Sequence, residues 1–199
     1  MTAPKDVAAI ILAAGQSKRF GDQNKMLFEI KGQAVIRHTV EQVSRAGLTN
    51  IVLVSGEDAA DVQASCKGID MRHIENPTPW AGMGSSLAAG ANAMNENIEA
   101  FFVILGDMPY LKSETIIHMA EAFHPESGND IAVPVCDGRR GHPVLFARKY
   151  LTQLRALTGD QGAKAILAAH PERIQAITVN DPGTLIDIDK PEDARPIDQ

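Results

Sequence analysis

The stretch Val7-Ala8-Ala9-Ile10-Ile11-Leu12 runs directly into Ala13-Ala14-Gly15-Gln16-Ser17-Lys18-Arg19-Phe20-Gly21, and its reading decides the fold. An unbroken apolar run without alternation fits a strand buried on both faces, as in a parallel sheet. The run is too short to cross a bilayer, and it breaks at Gly15 into small, polar and basic residues. The pattern recurs at residues 51–54 (IVLV) and 101–105 (FFVIL), more weakly at 71–74, and again at 131–135, 144–146 and 174–179. Helical spacing falls between these runs, at 34–46 before Gly47, 58–66, 85–94 with serine at its start, 113–123, 150–157 and 162–169. Strands alternating with helices predict an α/β fold with a mostly parallel central sheet and right-handed crossovers. Ligands of such sheets bind at the carboxyl ends of strands, which is where this chain collects its polar residues.

The 199 residues fit one domain, 1–199, with 44% apolar and 22% charged residues, an ordinary globular composition. Nineteen Lys and Arg against 25 Asp and Glu leave a formal charge of −6. That balance argues against nucleic-acid binding, which needs a basic surface. Cys66 and Cys136 make neither a disulfide framework nor a zinc spacing. With no secretion signal and no transmembrane run, the expectation is a soluble, cytoplasmic protein that binds no membrane.

Five constellations carry chemistry. In the first, Gly15, Ser17, Arg19 and Lys25 follow the opening strand. Small residues let the backbone approach a flat ligand, Ser17 and local N–H groups donate to phosphate oxygens, and Arg19 grips phosphate while Lys25 adds mobile charge. The glycine spacing matches neither a Walker loop nor a dinucleotide fingerprint, and a plain turn with solvated basic residues reads equally from spacing. In the second, Asp107 follows FFVIL within Gly106-Asp107-Met108-Pro109, either as a magnesium ligand or as the cap of a turn. In the third, Gly82-Met83-Gly84-Ser85-Ser86 either cradles a polar ligand or caps a helix. In the fourth, Gly138-Arg139-Arg140-Gly141-His142-Pro143 either binds a second anionic substrate or is a solvated basic turn. In the fifth, Asp187-Ile188-Asp189 places both carboxylates on one face if extended, as a second metal carboxylate or as an acidic tail. Trp80 lies in the loop before the Gly-Ser pair and walls a pocket or simply packs.

Together AAIILAAGQSKRFG with Lys25, GMGSSL, FFVILGDMP, GRRGHPVLF and DIDKPED resemble the nucleotidyltransferases that modify molybdopterin, most nearly the molybdenum-cofactor cytidylyltransferases. The resemblance spans about residues 7–194. It implies a three-layer, Rossmann-like nucleotide-diphospho-sugar transferase fold. It also implies transfer of CMP from CTP to the molybdopterin phosphate with Mg²⁺ and release of pyrophosphate, and a target molybdoenzyme as partner. Ala13 and Ala14 stand where guanylyltransferase relatives tend to carry glycine, which favours CTP over GTP. Carried over by residue, Leu12, Ala13, Ala14 and Gly15 lie against the cytidine, Ser17, Arg19 and Lys25 face the triphosphate, and Gly82 and Ser86 sit near the base. Asp107 holds the metal, with Asp187 or Asp189 completing the site, and Arg139, Arg140 and His142 meet the pterin. Arg19, Lys25 and Asp107 are the expected catalytic residues. The sequence departs from the family at Phe20, where methionine is commoner, and in the spacing from Gly21 to Lys25, longer by one residue. The competing readings are a transferase for another nucleotide or acceptor, a pterin-cofactor carrier and a nucleotide-binding regulator.

Overall fold

The computed structural model describes residues 6–15, 17, 20, 21, 23–160 and 162–194. Its strands are β1 (Val7–Ala13), β2 (Glu29–Ile30), β3 (Gln33–Ala34), β4 (Asn50–Ser55), β5 (Arg72–Glu75), β6 (Ala100–Leu105), β7 (Ile131–Cys136), β8 (Arg139–Arg140), β9 (Val144–Ala147) and β10 (Ile174–Thr178). Its α-helices are α1 (Val35–Arg45), α2 (Ala59–Ser65), α3 (Met83–Ala93), α4 (Ser113–Ala122), α5 (Leu151–Arg155) and α6 (Lys164–Ala169). The main sheet runs β10-β7-β9-β6-β1-β4-β5, with β8 paired to β7.

The strand β1 is buried at every position and lies parallel between β4 and β6. An unbroken apolar sequence suits that seat, because neither face meets water. Parallel pairing continues from β4 to β5 and from β7 to β10, while β9 runs antiparallel to both β6 and β7. Helix α3 packs on β1 and β4 and against α5, whereas α1 packs on β1 and against α2 and α4. The result is the expected three-layer, Rossmann-like α/β architecture of the nucleotide-diphospho-sugar transferases.

Two details depart from expectation. The hairpin β2–β3 has strands too short to show a period in sequence. Its turn is nevertheless well specified: Lys31 and Gly32 both have positive φ, 52° and 77°, as a two-residue hairpin of this twist requires. Helix α3 begins at Met83, two residues before the expected start, with Gly82 ahead of it. Ser85 therefore caps nothing from outside; its hydroxyl donates to the Gly82 and Thr78 carbonyl oxygens.

Candidate active site

The carboxyl ends of β1 and β6 open into a cleft of about 540 Å³ lined by Leu12, Ala14, Gly15, Ser17, Lys25, Gly82, Ser86, Asp107, Asp187 and Asp189, among others. Ala13 faces an adjoining hollow of about 370 Å³ instead, with Asn24, Gly56 and Asp58. Arg19 lies outside the described residues.

Ser17 holds a left-handed φ of 45°. Its hydroxyl oxygen accepts the Lys25 backbone N–H at 3.0 Å, so the loop residue seats the lysine. Asn24 reinforces this by accepting the Met26 N–H at 2.9 Å and donating to Asp58 at 2.8 Å. From there the Lys25 ammonium reaches Asp107 Oδ2 and Asp189 Oδ1, the latter at 3.3 Å. Burial opposes its charge, but the two carboxylates outweigh burial and hold its pKa above the ordinary lysine value.

Asp107 sits where the Gly106 N–H has turned back to the Leu12 carbonyl at 2.8 Å. Burial pushes its carboxyl above the usual range; Lys25 offsets part of the rise and Asp187 adds to it. The second oxygen, Oδ1, is buried with no hydrogen-bond partner among the described residues. An oxygen buried in that way is costly unless something else satisfies it.

The segment from Asp181 to Asp189 supplies the remaining carboxylates. Asp181 is buried and accepts from Lys112 N, Gly183 N and Thr115 Oγ1, which ties the segment to the start of α4. A Cβ on Gly183 would stand 2.1 Å from the Tyr110 carbonyl oxygen, so only glycine passes there. The Ile188 N–H then donates to the Asp107 carbonyl at 2.9 Å. The Ile188 side chain is fully buried with Phe20, Ile30 and Val35, partly on the β2–β3 hairpin. Anchoring the middle residue turns both neighbours to the same side. Asp107, Asp187 and Asp189 thereby bring oxygens within 4.8 Å of one another. Both aspartates, and not one of the two, approach Asp107.

The basic loop does not act as a unit. Arg139 and Arg140 are exposed on β8, which pairs antiparallel with β7, and neither lines the cleft. His142 turns inward. Its backbone N–H donates to the Thr184 carbonyl at 2.8 Å, and its Nδ1 is buried without a partner among the described residues. Burial lowers its pKa, against the pull of Asp107 and Asp187. The sequence reading missed Asp160, which lines the cleft; a Gly-Asp pair between two helices reads only as a turn.

The profile of the family described as "MobA-like NTP transferase domain" matches residues 9–174. The chain belongs to that family. Membership supports an enzyme role, with nucleotidyl transfer as the activity the family is described by. Asp187 and Asp189 lie beyond the matched region. The nicotine blue oxidoreductase of Paenarthrobacter nicotinovorans is 30% identical over 92% of each chain. The molybdenum cofactor guanylyltransferase of Vibrio cholerae is 26% identical over 82% of this chain and 77% of its own. The bifunctional protein GlmU of Agrobacterium fabrum is 34% identical over 63% of this chain, which spans only 28% of that protein. Among solved structures, Rv0371c of Mycobacterium tuberculosis superposes with a TM-score of 0.80 at 24% identity, over 97% of this chain and 96% of its own. Another structure of that protein is a complex with manganese. No helix among the described residues is long and apolar enough to cross a membrane.

Proposed function

We propose that the protein transfers CMP from CTP to the phosphate of molybdopterin, releasing pyrophosphate, as a single magnesium-dependent domain in the cytoplasm that hands its product to a molybdoenzyme. The observation that carries the reading is the gathering of Lys25, Asp107, Asp187 and Asp189 at the mouth of β1 and β6.

The donor set fits magnesium. It offers hard carboxylate oxygens only, and one of them, Asp107 Oδ1, is buried and unpartnered. Asp107, Asp187 and Asp189 would hold the ion, which when bound neutralises charge on phosphate oxygens.

The chain's own groups do the positioning. The acceptor phosphate oxygen attacks the α-phosphorus in line. The new O–P bond forms as the bond to the bridging oxygen breaks, and pyrophosphate leaves with that electron pair. Such transfers depend on alignment and charge more than on covalent help. Lys25 remains charged because its pKa is held up, so it can stabilise the phosphates at neutral pH. Arg19 has the same role by resemblance. Ala14 and Gly15 present small side chains and backbone to the nucleoside, Leu12 an apolar one, and Ala13, Gly82 and Ser86 are assigned to the same ligand. His142 is assigned to the acceptor, and Arg139 and Arg140 meet it only from outside the cleft.

The test is pyrophosphate release with Mg²⁺ and each of CTP, GTP, ATP and UTP, with and without molybdopterin. Release with CTP only when molybdopterin is present is expected. Release with GTP instead overturns the base assignment, and silence with all four overturns transfer to this acceptor.

A further inference from the structure

Asn76 follows β5, is only 3% exposed and does not itself line the cleft. Its backbone N–H donates to the Ser55 carbonyl at 2.8 Å, at the end of β4. Its side chain reaches the start of α3, across the turn that carries Trp80 on the cleft wall. Asn76 Oδ1 accepts the Thr78 backbone N–H at 3.0 Å. A backbone N–H can only donate, so this contact fixes which way round the amide lies. The amino group therefore faces two serines, and Nδ2 donates to Ser85 Oγ at 2.8 Å and to Ser86 Oγ at 3.0 Å.

A hydroxyl that accepts from an amide must place its own proton elsewhere. Ser85 gives its proton to the Gly82 and Thr78 carbonyl oxygens. Ser86 differs. It is buried but lines the cleft, and its hydroxyl donates to no residue of the described chain. Asn76 thus makes the Ser86 hydroxyl a one-way donor toward the cleft. Without the amide, the same hydroxyl could accept as readily as donate.

A fixed donor selects the atom it meets. That atom must be an acceptor, because an N–H in its place would leave two donors facing each other. The pairing edge of cytosine carries a ring nitrogen and a carbonyl oxygen side by side, both acceptors. The same edge of guanine carries a ring N–H and an amino group, both donors. Uracil shares the carbonyl oxygen but has an N–H beside it.

We infer that Asn76 is a positioning residue for nucleotide choice, holding the Ser86 hydroxyl as a donor to the carbonyl edge of a pyrimidine base. The inference rests on the CTP reading above, with Ser86 at the nucleoside, and adds the residue that sets the polarity of that contact.

Calorimetric titration with CTP and GTP in Mg²⁺ tests it, on the wild type, Ser86→Ala, Asn76→Asp, Asn76→Ala and Ser86→Ala combined with Asn76→Asp. Thermal melts check folding. Ser86→Ala is expected to weaken CTP about 5-fold, the scale of one neutral hydrogen bond. Asn76→Asp sets a carboxylate against the serines; it only accepts, so it draws the Ser86 proton away from the cleft and costs CTP at least as much. Asn76→Ala removes the amide and leaves that proton able to reach the ligand, so it costs CTP less than Asn76→Asp even though it melts lower. A residue that only held the turn together would give the opposite order. Adding Asn76→Asp to Ser86→Ala should cost less than about a further two-fold, because the pair acts as one unit. In turnover the losses should fall on KM for CTP, with kcat within about two-fold of wild type. Additive losses, or a loss confined to GTP, overturn the inference. So does an unchanged CTP affinity in Ser86→Ala, which decides the matter even where an Asn76 variant does not fold. Coupled losses of CTP binding in a protein that releases no pyrophosphate with CTP and molybdopterin keep this inference and overturn the proposed activity.

Discussion

Two aspartates in this molecule are buried to nearly the same degree, Asp107 at 6% exposure and Asp130 at 3%, and each has a lysine ammonium beside it. Their surroundings differ in completeness. Asp130 accepts from the Tyr150 hydroxyl at 2.6 Å and from Lys149, with Arg173 3.9 Å away. Burial raises its pKa, yet these donors and charges win and hold the carboxyl below the usual range. Asp107 has one cation, an unpartnered oxygen and two more carboxylates within 4.8 Å, and its pKa moves the other way. A satisfied buried carboxylate fixes the fold where β7, β9 and the following turn meet. An unsatisfied one suits the role proposed for Asp107, the binding of a ligand that brings its own positive charge.

Substitution separates the two roles. Asp107→Asn is predicted to lower kcat by about 10³-fold, the scale of losing a carboxylate that, on the proposed function, holds the charge-neutralising ion beside the reacting phosphates. Its melting temperature should stay close to wild type, since a carboxylate that burial disfavours is removed. A folded variant with near-normal turnover would break the comparison. Asp130→Asn should do the reverse, with kcat kept and about 2 kcal/mol of stability lost, because a charged acceptor inside a buried network is replaced by a neutral one. Urea unfolding measures it, and a loss of activity at full stability would contradict the assignment.

Acid sharpens the same contrast. The Asp130 pKa lies below the ordinary 3.8. Its contribution is therefore complete above that pH and is lost as pH falls through the lower folded value. The stability gap between wild type and Asp130→Asn should persist at about pH 5 and close in strong acid. A gap that closes already at mildly acid pH would show that the carboxyl is not held down. The smallest effect is expected from Tyr150→Phe, about 1 kcal/mol for one neutral-to-charged hydrogen bond partly replaced by Lys149 and Arg173. Calorimetric melting resolves it, and a loss as large as that of Asp130→Asn would mean that the tyrosine alone carries the network.

The satisfied parts of the molecule were also the legible ones. Unbroken apolar runs identified β1, β4 and β6, because a strand covered on both faces has no reason to alternate. The alternation of Asp187, Ile188 and Asp189 announced a shared face. It could not announce that Ile188 would be gripped by Phe20, Ile30 and Val35, since one of the three, Ile30, sits on a hairpin whose strands are two residues long. Arg139, Arg140 and His142 looked like one basic loop. The structure divides it: Arg139 and Arg140 on β8 pair with Cys136 and Val135 and stay exposed, while His142 is tied to Thr184 and turns in. Asp160 carried no signal of its own, because its place in the cleft depends on two glycines more than seventy residues earlier.

The backbone hydrogen bond from Ile188 to Asp107 also has a meaning in time. Lys25 and Asp189 are 164 residues apart along the chain. At ordinary translation rates the first leaves the ribosome on the order of ten seconds before the second. A growing polypeptide can form the loop after β1 and the central strands in that interval, yet two of the three clustered acidic groups have not been made. On the proposed function, a chain that ends before this segment would meet nucleotide without the full carboxylate set for transfer, and activity would begin only when synthesis of the segment is finished.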